Sequence, residues 1–118
     1  MIQSFRDLQI WQKSMKLAVA VYRLTREFPR EELYGLTSQI RRSAVSVPSN
    51  IAEGQGRLNL GEFRQFLGIA RGSSCELQTQ LEIASDLGFG NAELIKEAED
   101  LSHEVGKMIY AFLESLKD

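Results

Sequence analysis

Five arginines in the middle of the 118-residue chain, Arg41, Arg42, Arg57, Arg64 and Arg71, are the side chains best suited to hold a ligand. Each stays charged at neutral pH and offers a planar fork of donors that fits phosphate. Their spacing limits how they act together. Arg41 and Arg42 are neighbours, so on a helix they point about 100° apart and only one squarely faces a given partner. Arg57, Arg64 and Arg71 follow at intervals of two helical turns, the last two on one helix face, and such a row can track a phosphate backbone. The competing reading pairs these arginines with Glu53, Glu62 or the acidic end of the chain. Beside them lies an arc of small, amide and charged side chains that includes Gln39, Ser46, Asn50 and Glu53. That arc fits a polar packing seam or a subunit interface better than an acid–base pair.

Catalytic groupings are scarce. There is a single histidine, His103. Asp100 and His103, with Glu99 and Glu104 nearby, resemble half of a bundle di-metal motif, but the second acid–His pair is missing. His103 lies off the apolar stripe and reads as a surface residue. Cys75 has no histidine near it in sequence and reads as a small packed core residue. The nine glycines show no phosphate-loop spacing. The expectation is a protein that is no enzyme and holds no metal or cofactor.

Charge is uneven. The net value is −2. Residues 35–75 carry the five arginines against Glu53 and Glu62, whereas residues 76–118 carry three lysines against ten carboxylates. An acidic chain is a poor general binder of polyanions, because that affinity comes from neutralising phosphates. A local basic face on the second and third helices remains open to it. The N-terminus carries charge where a signal peptide would be apolar, no apolar run approaches the length of a membrane span, and a lone cysteine fits a reducing compartment. A cytoplasmic protein of one domain, residues 1–118, is expected.

Four helices must position these residues. The first is expected to start at Ser4 to Asp7 and run to about Phe28, where Pro29 stops it. It carries two apolar stripes about 140° apart: Leu8, Trp11, Met15, Val19 and Tyr22 on one, Ile10, Leu17, Val21, Leu24 and Phe28 on the other. One bundle core accounts for one stripe, so the other is expected against a second subunit. The second helix begins near Gly35, with the stripe Leu36, Ile40, Ala44, Val47 and Ile51. The stripe keeps its phase across Pro48, which predicts a kinked but continuous helix. Gly54 and Gly56 should end it.

Asn59 and Glu62 make the start signal of the third helix, with Leu58 and Phe63 at the two positions of a hydrophobic staple. Its stripe is Phe63, Leu67, Ala70, Ser74, Leu77, Leu81 and Ala84, at heptad spacing. Gly68 and Gly72, one turn apart, suggest close approach by a neighbouring helix. Gly88 to Gly90 should stop it, and Asn91 should cap the fourth helix, whose stripe is Leu94, Ala98, Leu101, Val105, Met108, Phe112 and Leu116, with Ile95 and Ile109 alongside. The pattern predicts an all-α, antiparallel up-down four-helix bundle.

Three segments, FRDLQIWQKSMKLAVAVYRLTREFP, YGLTSQIRRSAVSVPSNIAEGQGR and EFRQFLGIARGSSCELQTQLEIASDLG, resemble the four-helix-bundle proteins encoded in intervening sequences of bacterial 23S ribosomal RNA genes. SQIRR…PSNIAEG is the most specific block, and nearly the whole chain is covered. The resemblance implies a bundle assembled into a ring, usually a homopentamer. It extends to the accessory variability protein of diversity-generating retroelements, which works beside a reverse transcriptase and binds nucleic acid through a basic surface. It makes Gln39, Arg41, Arg42, Pro48, Asn50, Glu53, Gly54 and Arg57 the signature positions. Two functions follow as expectations. The first is binding of RNA or a ribonucleoprotein through a basic face on the second and third helices. The second is a scaffold ring that engages a partner enzyme such as a reverse transcriptase.

Overall fold

The computed structural model describes residues 4–117. Its helices are α1 (Gln9–Thr25), α2 (Leu36–Gly56), α3 (Leu60–Asp86) and α4 (Ala92–Ser115), with short 3-10 turns at Phe5–Asp7 and Arg30–Glu32. Contacts join α1 to α2, α2 to α3, α3 to α4 and α4 back to α1, a four-helix bundle measuring 44 × 22 × 20 Å. α2 and α3 run in opposite directions along their seam. Ser43 of α2 meets Glu76 of α3, Ser46 meets Ser73, and Gly54 lies on Phe63 and Phe66.

The core is built from the expected stripes. Ile40, Ala44, Val47 and Ile51 of α2 are fully buried, as are Leu67, Ala70, Leu77, Leu81 and Ala84 of α3. From α1, Ile10, Leu17, Val21 and Leu24 are buried, and Phe28 follows them beyond the helix end. On α4 the most buried line is Ile95, Ala98, Ser102, Val105 and Ile109, while Leu94, Leu101 and Met108 are half-buried. The stripe is thus turned towards the two isoleucines that the periodicity placed at its side.

α1 is shorter than expected at both ends. Ser4 caps the 3-10 turn, with Asp7 answering as in a capping box. Leu8 then goes extended, is buried, and separates the turn from α1, and Gln12 Nε2 donates to the Arg6 carbonyl across the joint at 2.8 Å. At the other end Pro29 excludes Phe28 from the α region, and the last bonds tighten to Glu27 N–Leu24 O and Phe28 N–Thr25 O. α2 starts after Gly35 as expected and runs unbroken through Pro48.

Two glycines are required by packing. A Cβ on Gly54 would sit 2.7 Å from the Phe66 Cβ, so its absence lets α2 and α3 close up. Gly90 has φ +78°, and a Cβ there would reach 2.8 Å from Leu24. Gly68 and Gly72 face open space within the chain, so no neighbouring helix of the same bundle exploits them. The staple also fails. Leu58 sits at φ 63° and is 89% exposed, since the left-handed turn after α2 throws its side chain outward, whereas Phe63 packs on Phe112. The helix starts do hold: Asn59 accepts from Glu62 N, and Asn91 accepts from Glu93 N and Leu94 N.

Candidate nucleic-acid interface

The five arginines do not share one face. Arg41 is half-buried between α1 and α2. Its Nε donates to Thr25 Oγ1 at 2.8 Å and its guanidinium lies 4.8 Å over the Tyr22 ring. Arg57 is exposed, pairs with Glu53 at 2.9 Å and covers Phe66. Both act as packing and pairing residues. Arg42 is exposed on the rim of a cleft between α2 and α3 and has no ion pair among the described residues.

Arg64 and Arg71 stand on the flank of α3 that looks towards α4. Arg71 lies 4.7 Å over the ring of Tyr110, which is itself half exposed. It lines a shallow groove of about 330 Å³ with His103, Lys107 and Tyr110 of α4. Gly106 keeps the floor of this groove low, since a Cβ there would press on the Gln78 amide at 2.8 Å. Further along, the Lys117 ammonium meets Glu114 at 2.6 Å. That hydrogen bond holds the Glu114 carboxyl below the usual carboxylate range, helped by the Tyr110 hydroxyl and the nearby Arg71 charge. The same bond raises Lys117, against burial and the like charge of Arg64.

Arg71 and Lys107 therefore line the groove beside the half-exposed Tyr110, and Arg64 and Lys117 stand near one another further along the same flank. Among the described residues Glu114 is the carboxylate that answers them. The basic face expected on α2 and α3 is divided by the structure, and its α3 half combines with α4. The lysines were hidden by the ten carboxylates of the last third of the chain. Their signal was present in the spacing, because His103, Lys107, Tyr110, Glu114 and Lys117 step by four and three along one face of α4 and just past its end.

The polar arc forms only in part. Ser43 Oγ donates to Glu76 at 3.1 Å, the Ser46 and Ser73 hydroxyls meet at 2.8 Å, and Asn50 Nδ2 donates to the Ser46 carbonyl and hydroxyl. Gln39 is exposed at the cleft, and Glu53 turns outward to Arg57, so neither joins this seam. Gln80, which the sequence did not single out, is buried there with its Oε1 unpartnered. Cys75 is exposed rather than packed, because the α3 core stripe passes through Ser74 and leaves the next residue outside. His103 is exposed, as its place off the stripe predicted. Among the described residues no three His, Cys, Asp or Glu side chains could hold a metal ion, and no helix is long and apolar enough to cross a membrane.

A comparison with curated proteins finds no match. Among solved structures, a protein of unknown function from the S23 ribosomal protein family of Bacteroides thetaiotaomicron VPI-5482 superposes with a TM-score of 0.80 at 24% identity. The match covers 89% of this chain and 95% of that one, a likeness of fold. Residues 6–111 match the family described as 23S rRNA-intervening sequence protein. That match reaches into all four helices, and the chain belongs to the 23S rRNA-intervening sequence protein family.

Proposed function

We propose that this protein is a non-enzymatic, homo-oligomeric helical bundle of the cytoplasm that binds structured RNA or a ribonucleoprotein along the α3–α4 groove. The observation that carries this reading is the row Arg64, Arg71, Lys107 and Lys117 beside the exposed Tyr110. The cations contact phosphates, and the tyrosine ring offers a stacking surface for an unpaired base. Each subunit binds weakly, and a ring, pentameric by family resemblance, multiplies the faces into avidity. Four neutralised phosphates per subunit correspond to a log–log salt slope of about −3 to −4. The test measures binding of a structured RNA at rising salt for the wild type and for the double variant Arg64→Ala, Arg71→Ala. Weaker binding with a slope shallower by about two supports the reading. No binding by the wild type at low salt, or an unchanged double variant, refutes it.

A second reading is a scaffold ring that engages a partner enzyme such as a reverse transcriptase. The net charge of −2 favours it, as do Leu33 and Tyr34, which stand exposed between α1 and α2. It expects association with that enzyme to survive nuclease treatment.

A further inference from the structure

We infer that the outer face of α1 in one copy packs against the α2–α3 face of the next copy, around Glu76 and Gln80. This rests on the self-association proposed above and assigns the two surfaces that meet.

The first surface is the second stripe of α1. Met15, Val19 and Tyr22 remain 40%, 46% and 41% exposed in the bundle. Around them stand Lys16, Arg23 and Arg26, all exposed and without an ion pair among the described residues. The face is an apolar strip edged by free cations.

The second surface is a second heptad row on α3, beside the row that fills the core. Ile69, Ser73, Glu76, Gln80, Ile83 and Leu87 step by four and three. Ile69, Ile83 and Leu87 are exposed. Between these apolar positions the row turns polar and borders an open cleft of about 420 Å³, with Arg42 on its other wall. Glu76 accepts from Ser43 but meets no cation among the described residues. Gln80 lines the same cleft at 7% exposure, with no donor for its Oε1. A buried acceptor without a donor is unfavourable, and a donor delivered through the cleft would satisfy it.

The two surfaces complement each other. One presents unpaired cations around an apolar strip, and the other presents an unpaired carboxylate and an unmet acceptor between apolar residues. Their lengths agree: Trp11 to Arg26 spans about 22 Å of helix and Ile69 to Leu87 about 27 Å, at 1.5 Å per residue. Rows with steps of three and four suit packing at a shallow angle. Lys16 or Arg23 of one copy then reaches Glu76 and Gln80 of the next. Because the surfaces differ, the contact is head-to-tail, and repeated contacts build a ring or a filament rather than a two-fold dimer.

The test uses light scattering on the full chain. Val19→Glu damages the first surface, and Glu76→Arg the second. Both positions are exposed, so the monomer fold should persist, and circular dichroism melts check this. Ile83→Glu serves as a second variant of the α3 surface should Glu76→Arg fail to fold. Each variant alone is expected to weaken association by about two orders of magnitude and run as a monomer. Mixed, the two variants keep one intact surface each, so they should form a one-to-one dimer that grows no further. A monomeric wild type would overturn self-association itself. An oligomeric wild type whose folded variants keep its mass, or whose mixture stays monomeric, leaves self-association standing and overturns this assignment of surfaces.

Discussion

Replacing Gly54 by Ala should destabilise the protein, although alanine is the better helix former. The new Cβ would stand 2.7 Å from the Phe66 Cβ, 3.2 Å from Phe63 Cδ1 and 3.3 Å from the Phe63 carbonyl oxygen. Carbon atoms rest at about 3.5–4.0 Å, so α2 and α3 would have to part by about 1 Å. The Phe66 Cβ is fixed to the α3 backbone and cannot swing aside as a side-chain tip would. Overpacking of this kind costs up to about 3 kcal/mol. Helix propensity returns about 1 kcal/mol. The balance is a loss of about 2 kcal/mol, a fall of about 8 °C in melting temperature for a domain of this size. Gly68→Ala is the control. Nothing lies within 4 Å of a Cβ there, so only the propensity term remains and the variant should gain about 1 kcal/mol. Urea unfolding followed by helical circular dichroism, at one protein concentration, compares the three chains. A Gly54→Ala protein as stable as the wild type would refute the reasoning that a close backbone approach holds the α2–α3 seam.

The arginines should separate by phenotype. Arg41→Ala loses the bond to Thr25 and the stack on Tyr22, about 1–2 kcal/mol of stability, with RNA affinity at fixed salt unchanged. The double variant Arg64→Ala, Arg71→Ala should show the reverse, so thermal melts and a filter-binding assay on both proteins decide the division. Leu58→Gly should raise the melting temperature by about 4 °C, since glycine removes about 1 kcal/mol of left-handed strain at φ 63° and the leucine side chain is almost wholly exposed. A lower melting temperature would mean that the side chain is covered by something other than its own bundle.

The sequence made α2, α3 and the caps of α3 and α4 legible because the periodic stripes are long and the capping asparagines, Asn59 and Asn91, have one simple use. What periodicity supplies is the direction of burial averaged over a helix, and it does not say which neighbour covers which flank. That choice turned α4 towards Ile95 and Ile109, and it left Cys75 outside although Ser74 is buried. It also divided the arginines. Arg41 is bound by residues far earlier in the chain, Thr25 and Tyr22, which no local pattern connects to it. Short-range chemistry misled in smaller ways. The capping box at Ser4 and Asp7 closes one 3-10 turn instead of opening α1, because Leu8 is drawn into the core in an extended conformation.

The charge distribution gains sense when the surfaces are considered together. Taken along the chain, the final third is the least suited to an anion, with ten carboxylates against three lysines. Folded, Lys107 stands with Arg71 in the α3–α4 groove and Lys117 lies near Arg64, and among the described residues the carboxylate beside them, Glu114, is occupied by Lys117. A polyanion responds to the local field within about 10 Å at ordinary salt, and not to the net charge of the chain. On the two proposals together, self-association engages the outside of α1 and the α2–α3 face. The α3–α4 groove lies on neither surface, so each copy would keep it open as copies are added. A ring built in this way repeats one cationic groove at fixed intervals. Wider repetition should steepen the salt dependence of RNA binding in proportion to the grooves engaged, while Val19→Glu, which leaves the groove intact, should return the slope to that of a single subunit.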